Sequence, residues 1–214
     1  RNDAGLGTRF SLVPIPGAEA MTGAQLDAKS VELGVTSFAR PEDGSWSRKD
    51  ARSFYFNTTG SFTGVTRNWH LSFDNPLNVT DGGVIDIVVA GAENPSGAAD
   101  AAGPRMLDNL TTTGRGQLIL QEDPGNQAYI AGVYRAKPSA SGPVAPVKVL
   151  SFDPALFTPG VDGFITKDEE SSGVIPAPFL GADMYLLDVQ VHASSGDPVT
   201  VEPGRRLVAY IPAN

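Results

Sequence analysis

The chain has no cysteine, which excludes disulfide frameworks, thiolate metal sites and a cysteine nucleophile. It has only two histidines, His70 and His192, on separate strand-like segments, so a histidine-rich zinc site is excluded as well. No stretch approaches the ~20 apolar residues needed to span a bilayer. Positive charge is scarce: 16 Lys and Arg stand against 24 Asp and Glu, a net charge of −8. Nucleic acid and anionic membranes are therefore poor partners, whereas cations are compatible ones, and the same charge also serves plain solubility. Long helical periodicity is missing too, while Gly (24) and Pro (17) are abundant. That combination favours many short strands separated by turns. The first residues, Arg1-Asn-Asp-Ala-Gly-Leu-Gly, carry neither an initiator Met nor the pattern of a signal peptide, so a processed chain or a piece of a longer one is expected.

What is present is enough apolar material for a core: 214 residues, 41% hydrophobic and 19% charged. Residues 1–33 read as irregular, with one edge strand over Phe10 to Ile15 and a short helix within Ala18 to Leu33. A first unit, 34–104, has strand-like segments at 35–38, 53–60, 68–73 and 83–90, with a loop across Ala39-Arg-Pro-Glu-Asp-Gly44 and another over 91–104. A second unit, 105–160, has segments at 106–112, 116–122, 128–135 and 146–152, its first pair joined by a Gly114-Arg-Gly116 turn. A third unit, 161–214, has three: 170–175, 184–192 and 206–211.

The units repeat. Their first acids, Glu42, Asp108 and Glu170, are spaced 66 and 62 residues apart. The polar ends of their second strands, Asn57, Glu122 and Asp188, are spaced 65 and 66 apart. A four-stranded antiparallel unit recurring at one period is the content of a propeller blade. The expected fold is all-β: a β-propeller with about three four-stranded blades in this chain, residues 1–33 completing an earlier one. Three blades do not close a ring, which needs ~4–8. A missing N-terminal half or a second chain is expected to complete it.

The stretch Met106 to Asn126 concentrates the chemistry. An apolar run, Leu118-Ile-Leu120, meets Glu122 and Asp123, and antiparallel pairing across the turn brings them toward Asp108 and Asn109. Buried carboxylates need a compensating cation, metal or water. Hard oxygen donors in this number suit calcium or a carboxylate-bound transition metal. Around a propeller axis Glu42, Asp108, Asn109, Glu122 and Glu170 would face one another as metal ligands. Simpler readings stand beside this one. Asp108-Asn109 also fits a turn cap, Glu42-Asp-Gly44 a surface turn, and Asp168-Glu-Glu170 a solvated charge run. Trp46 and Trp69 read as core between blades, and the Asp162 to Glu169 stretch is rejected as a calcium loop because its flanks are Pro-rich.

Five short pieces in order, Arg40-Pro-Glu42, Leu107-Asp-Asn-Leu110, Leu120-Gln-Glu-Asp123, Glu170-Ser-Ser-Gly173 and Leu187-Asp-Val-Gln190, resemble the C-terminal half of the PhoX-type alkaline phosphatase family. The resemblance covers roughly residues 34–192. It implies a secreted or periplasmic bacterial propeller with an iron and calcium centre that hydrolyses a phosphate ester substrate. It places Glu42 and Glu122 at metal-bridging positions and Asp108, Asn109 and Glu170 at the mouth. The chemistry also wants a cation on the phosphate, and Arg40 or Arg105, each shortly before an acid in its own unit, could serve. The family's site also takes a cysteine and further acids from an N-terminal half, which this chain lacks, and its Glu-Thr-Gly-Pro-type turn is here Glu170-Ser-Ser-Gly173. A calcium-stabilised binding propeller and a lactonase-like hydrolase are the alternative readings.

Overall fold

The computed structural model describes residues 7–92, 103–196, 199 and 202–213. Most of the regular structure is β, in three antiparallel sheets. The first contains β1 (Thr8–Phe10), β2 (Pro41–Trp46), β3 (Ser53–Thr58), β4 (Arg67–Phe73) and β5 (Gly83–Ala90), in the order β1-β5-β4-β3-β2. The second is a meander of β6 (Leu107–Thr112), β7 (Leu118–Glu122), β8 (Gly132–Ala136) and β9 (Val147–Ser151). The third is a meander of β10 (Glu169–Pro176), β11 (Met184–Val191) and β12 (Gly204–Tyr210). Two helices interrupt them, α1 (Gly23–Glu32) and the single turn α2 (Pro154–Phe157). An all-β architecture is thus what the glycine, proline and strand pattern implied.

The second sheet lies between the other two, and its central strands β7 and β8 are buried on both faces. Leu118 and Leu120 on β7 join Tyr55, Val88 and Val89 of the first sheet, while Ile119 and Val133 join Tyr185, Leu187 and Ala209 of the third. All five residues of β7 are buried, which explains why its sequence is an apolar run rather than an alternation. The first strands of the sheets lie side by side, β2 against β6 and β6 against β10.

Each first strand carries a bulge at the same place. Pairing with the second strand shifts between Pro41 and Gly44, between Leu107 and Leu110, and between Ser172 and Ile175. Bulges free backbone groups from the ladder and re-aim side chains. Here the freed groups hold the sheets together. Asn57 on β3, fully buried, donates from its amide to the carbonyls of Asp108 (2.8 Å) and Asn109 (3.3 Å). Gln121 on β7, also fully buried, donates to Ser171 Oγ (2.6 Å) and the Ser172 carbonyl (3.1 Å), and accepts from Val174 N at 3.0 Å. The two locks are one repeat apart, since 121 − 57 = 64 and 172 − 108 = 64.

Several segments differ from the sequence reading. The loop expected at Ala39 to Gly44 is partly strand β2, and the strand expected at Val35 to Phe38 is not one. Pro41 opens an edge strand, where a missing N–H costs no ladder bond, and the bulge accommodates Glu42 and Asp43. Val35 to Phe38 instead cross the outer face of the first sheet, where Phe38 meets Phe56 and Trp69 edge-on at 5.2 and 5.4 Å. At the N-terminus the strand comes earlier than expected, at Thr8–Phe10, and adds to the edge of the first sheet through β5. Trp69 is core, whereas Trp46 is half exposed. The loop expected over 91–104 lies largely outside the described residues.

Candidate functional site: a carboxylate junction between three sheets

The bulges of β2 and β6 and the start of β10 converge at one end of the molecule. Arg40 and Met106, each two residues before an acid, hold left-handed backbone at φ 56° and 47°. Such strain in non-glycine residues persists only where surrounding structure enforces it. After these residues Glu42 and Asp108 emerge from their bulges and Glu170 from β10. The charges of Glu42, Glu170 and Asp123 act on Asp108; with burial as the larger cause, they push its carboxyl up to about 7, while Arg40 draws it down. The Glu170 carboxyl is raised by burial, by Asp123 and by Glu42, against the stabilising effect of His192. His192 Nε2 lies 3.4 Å from Glu170 and its Nδ1 3.1 Å from Glu202. Arg40 sits 3.6 Å from Glu42. The amide of Asn109 donates to its neighbour Asp108 at 3.3 Å.

Glu122 and Arg105 are placed elsewhere. Glu122 is 1% exposed; it accepts from Arg105 N at 2.7 Å through Oε1 and from Gly132 N at 2.8 Å through Oε2. Burial nevertheless raises its carboxyl to about 7. The Arg105 guanidinium lies over the Tyr129 ring, 4.4 Å from its centroid. Of the expected ligands, Glu42, Asp108 and Glu170 therefore lie within range of one another's charge, Asn109 adjoins Asp108, and Glu122 lines a separate cavity with Arg105.

Three residues outrank the expectation for them. Asp123, one residue past β7, acts on Asp108, Glu169 and Glu170 alike. Glu169, read from sequence as solvated charge, has no exposed surface; one oxygen accepts from Ala131 N at 2.8 Å and the other has no partner among the described residues. Its carboxyl is raised to about 7 by burial. Gln121 carries a lock between sheets; the signal for it was a lone amide at the end of an apolar run.

The donor set is hard oxygen, which fits calcium. Iron's thiolate ligand in the resembling family has no counterpart, because the chain holds no cysteine. Among the described residues no three of these side chains are gathered tightly enough to form a finished metal site. Fold and site together define an all-β chain of serially stacked antiparallel sheets with a partly exposed carboxylate junction between them. No family model, characterised protein or solved structure matches it.

Proposed function

We propose that this chain is part of a sheet ring, a propeller built from successive blades, that binds a divalent cation at Glu42, Asp108, Asp123 and Glu170 and serves metal-dependent hydrolysis of phosphate esters. One observation carries the cation site: at a partly exposed junction burial raises the carboxyls of Asp108 and Glu170, and the charges of Glu42 and Asp123 push both in the same direction. Carboxylates within range of one another's charge are mutually unfavourable, and a cation between them offsets that charge. Arg40, half exposed beside Glu42, is the cation available to an anionic ester there. A bound divalent cation would supply charge neutralisation for the phosphoryl group and acidify water. The phosphatase reading rests further on the resemblance of the five short pieces, which also carries the expectation of iron beside calcium and of a secreted or periplasmic setting. Arg105, buried away from the junction, supports that reading less well than Arg40.

The test begins with protein stripped by a chelator. Calcium is expected to bind saturably in calorimetric titration and to raise the melting temperature, with both effects lost in Asp108→Asn. Hydrolysis of a chromogenic phosphate monoester is then followed with calcium, with iron and with both. Calcium binding without hydrolysis reduces the proposal to a calcium-stabilised binding module. The absence of any calcium effect removes the site.

A further inference from the structure

We propose that a cavity on the inner face of the first sheet, around His70 and Asp86, binds a small organic cation: the protonated primary amine of a compact molecule with an apolar body. The cavity holds about 560 Å³, within the range of small-molecule pockets. It lies between β4 and β5 on one side and Pro138-Ser-Ala140, in the connection from β8 to β9, on the other. None of the carboxylate junction's acids lines it.

Strand register builds its polar wall. Tyr55, His70 and Asp86 stand in one row across β3, β4 and β5, and Ser72 follows His70 by two positions on the same face. That face looks toward the second sheet, because Tyr55 and Val88 belong to the core shared with Leu118 and Leu120. Asp86 accepts from Gly7 N at 2.6 Å through Oδ1. Val84 and Val88 make the sheet side partly apolar, and Pro138 and Ala140 do the same across the cavity. Neither lysine nor arginine lines the space among the described residues.

A relay behind His70 makes this wall an acceptor. Ser53 Oγ donates to Asp50 Oδ2 at 3.0 Å and lies 2.8 Å from His70 Nε2. A hydroxyl has one proton; with that proton on Asp50, the hydrogen shared with His70 belongs to Nε2, a tautomer inferred from the network. The backbone N–H of Arg52 and the Ser53 hydroxyl keep the Asp50 carboxyl below its ordinary proton affinity, so it remains an acceptor. Burial holds the proton affinity of His70 below the usual histidine value, against the pull of Asp86 and Asp50, and the ring is neutral at neutral pH. The ring lies flat on Tyr55, 4.6 Å between centroids, which fixes its plane. A neutral imidazole with its proton on Nε2 has a lone pair on Nδ1, and no hydrogen bond engages that atom among the described residues. His70, Asp86 and the Ser72 hydroxyl therefore offer acceptors in a cavity lined by no cation. A primary ammonium brings three donors and the missing positive charge, and its bond to a carboxylate is charge-assisted.

The experiment uses the full chain with chelator present, so that it stands apart from the proposed cation junction. Butylammonium chloride is titrated at neutral pH against potassium chloride at matched ionic strength, with 1-butanol as the uncharged analogue. Binding is followed by calorimetry and by the nitrogen resonances of the imidazoles, which two histidines keep simple to read. The free protein is expected to show His70 neutral and protonated on Nε2. Butylammonium is expected to bind saturably, to bind more tightly than butanol and to shift His70 rather than His192. Asp86→Asn keeps an acceptor for Gly7 and is expected to weaken binding about tenfold, the scale of one lost charge-assisted bond. Asp108→Asn, at the junction, is expected to leave binding unchanged. The proposal fails if butylammonium does not exceed the salt control, or if Asp86→Asn binds as tightly as the unaltered chain. A shift of His192 in place of His70, or a loss of binding in Asp108→Asn, would move the amine to the junction and overturn it equally. A free His70 protonated on Nδ1 would remove the acceptor and the proposal with it.

Discussion

Burial decides what each carboxylate of this protein does. Glu42 and Glu122 look equivalent in the sequence, yet Glu42 is exposed at a bulge and Glu122 is enclosed by backbone donors. Glu122→Gln replaces an acceptor pair by a group with one acceptor and two donors. One buried N–H, of Arg105 or Gly132, then loses its partner, at a cost of about 1–3 kcal/mol. Chemical denaturation is expected to show that loss whether or not calcium is present, which separates a structural role from a ligand role. Proton affinity supplies a second expectation. Asp108, Glu122 and Glu169 each have a folded pKa of about 7, above their ordinary carboxylate values. A raised folded pKa contributes stability that is fully present below the unfolded pKa and lost as pH rises through the folded one. Without divalent cations the melting temperature should therefore fall between about pH 4.5 and pH 8. His192, whose proton affinity is raised by Glu202 and Glu170 against burial, acts in the same direction. In Asp108→Asn the fall should be shallower; an unchanged profile would contradict the charge clustering.

Between residue and molecule stand the strands and the bonds that lock them. β5 was legible in the sequence to the residue, because Gly83-Val-Ile-Asp-Ile-Val-Val-Ala90 is β-branched and bounded by glycine. β2 was not, because its residues, Pro-Glu-Asp-Gly-Ser-Trp, are poor strand formers held by their neighbour β3 and by a bulge. The same contrast applies to the locks. Asn57→Ala removes the amide that reaches Asp108 and Asn109, and Gln121→Ala removes the one that reaches Ser171, Ser172 and Val174. Each is expected to cost about 2–3 kcal/mol, since several buried partners are left unmatched. The two losses should be nearly additive because they act at different sheet junctions. Urea denaturation of the single and double variants measures this. Gly83→Ala tests the sheet itself: a Cβ there would stand 2.1 Å from the Ser72 carbonyl oxygen, so β4 and β5 must separate and the variant should melt far lower.

At the scale of the whole molecule the stack of sheets ends in two faces that nothing among the described residues covers fully. On the third sheet Ile175, Val208 and Tyr210 are 52%, 57% and 63% exposed. Ile175 and Val208 both flank Leu186 through the pairing of β10, β11 and β12. On the first sheet Phe56, Trp69 and Leu71 line an open trough of about 1130 Å³ beneath Phe38. Exposed contiguous apolar faces mark places where further protein docks. If further sheets are required, as the ring proposal holds, the isolated chain should associate with rising concentration in sedimentation velocity. A double variant, Ile175→Lys with Val208→Lys, should remain folded and lose that association. A wild-type chain monomeric at every concentration would oppose the ring.

The sequence alone determined the all-β character, recurring spacings of 62–66 residues and the presence of acids near each unit's first strand. These follow from local chemistry: β-branched runs, glycine turns, and charge that recurs with the supersecondary unit. Only the tertiary structure decided which acids meet. Asp108, Asp123 and Glu170 converge because bulges and strand ends place them at one junction, while Glu122, one residue from Asp123, is turned into a different cavity. Along a strand neighbouring side chains point to opposite faces, so a shift of one position separates a solvent-facing carboxylate from a buried one, and no linear spacing records that difference.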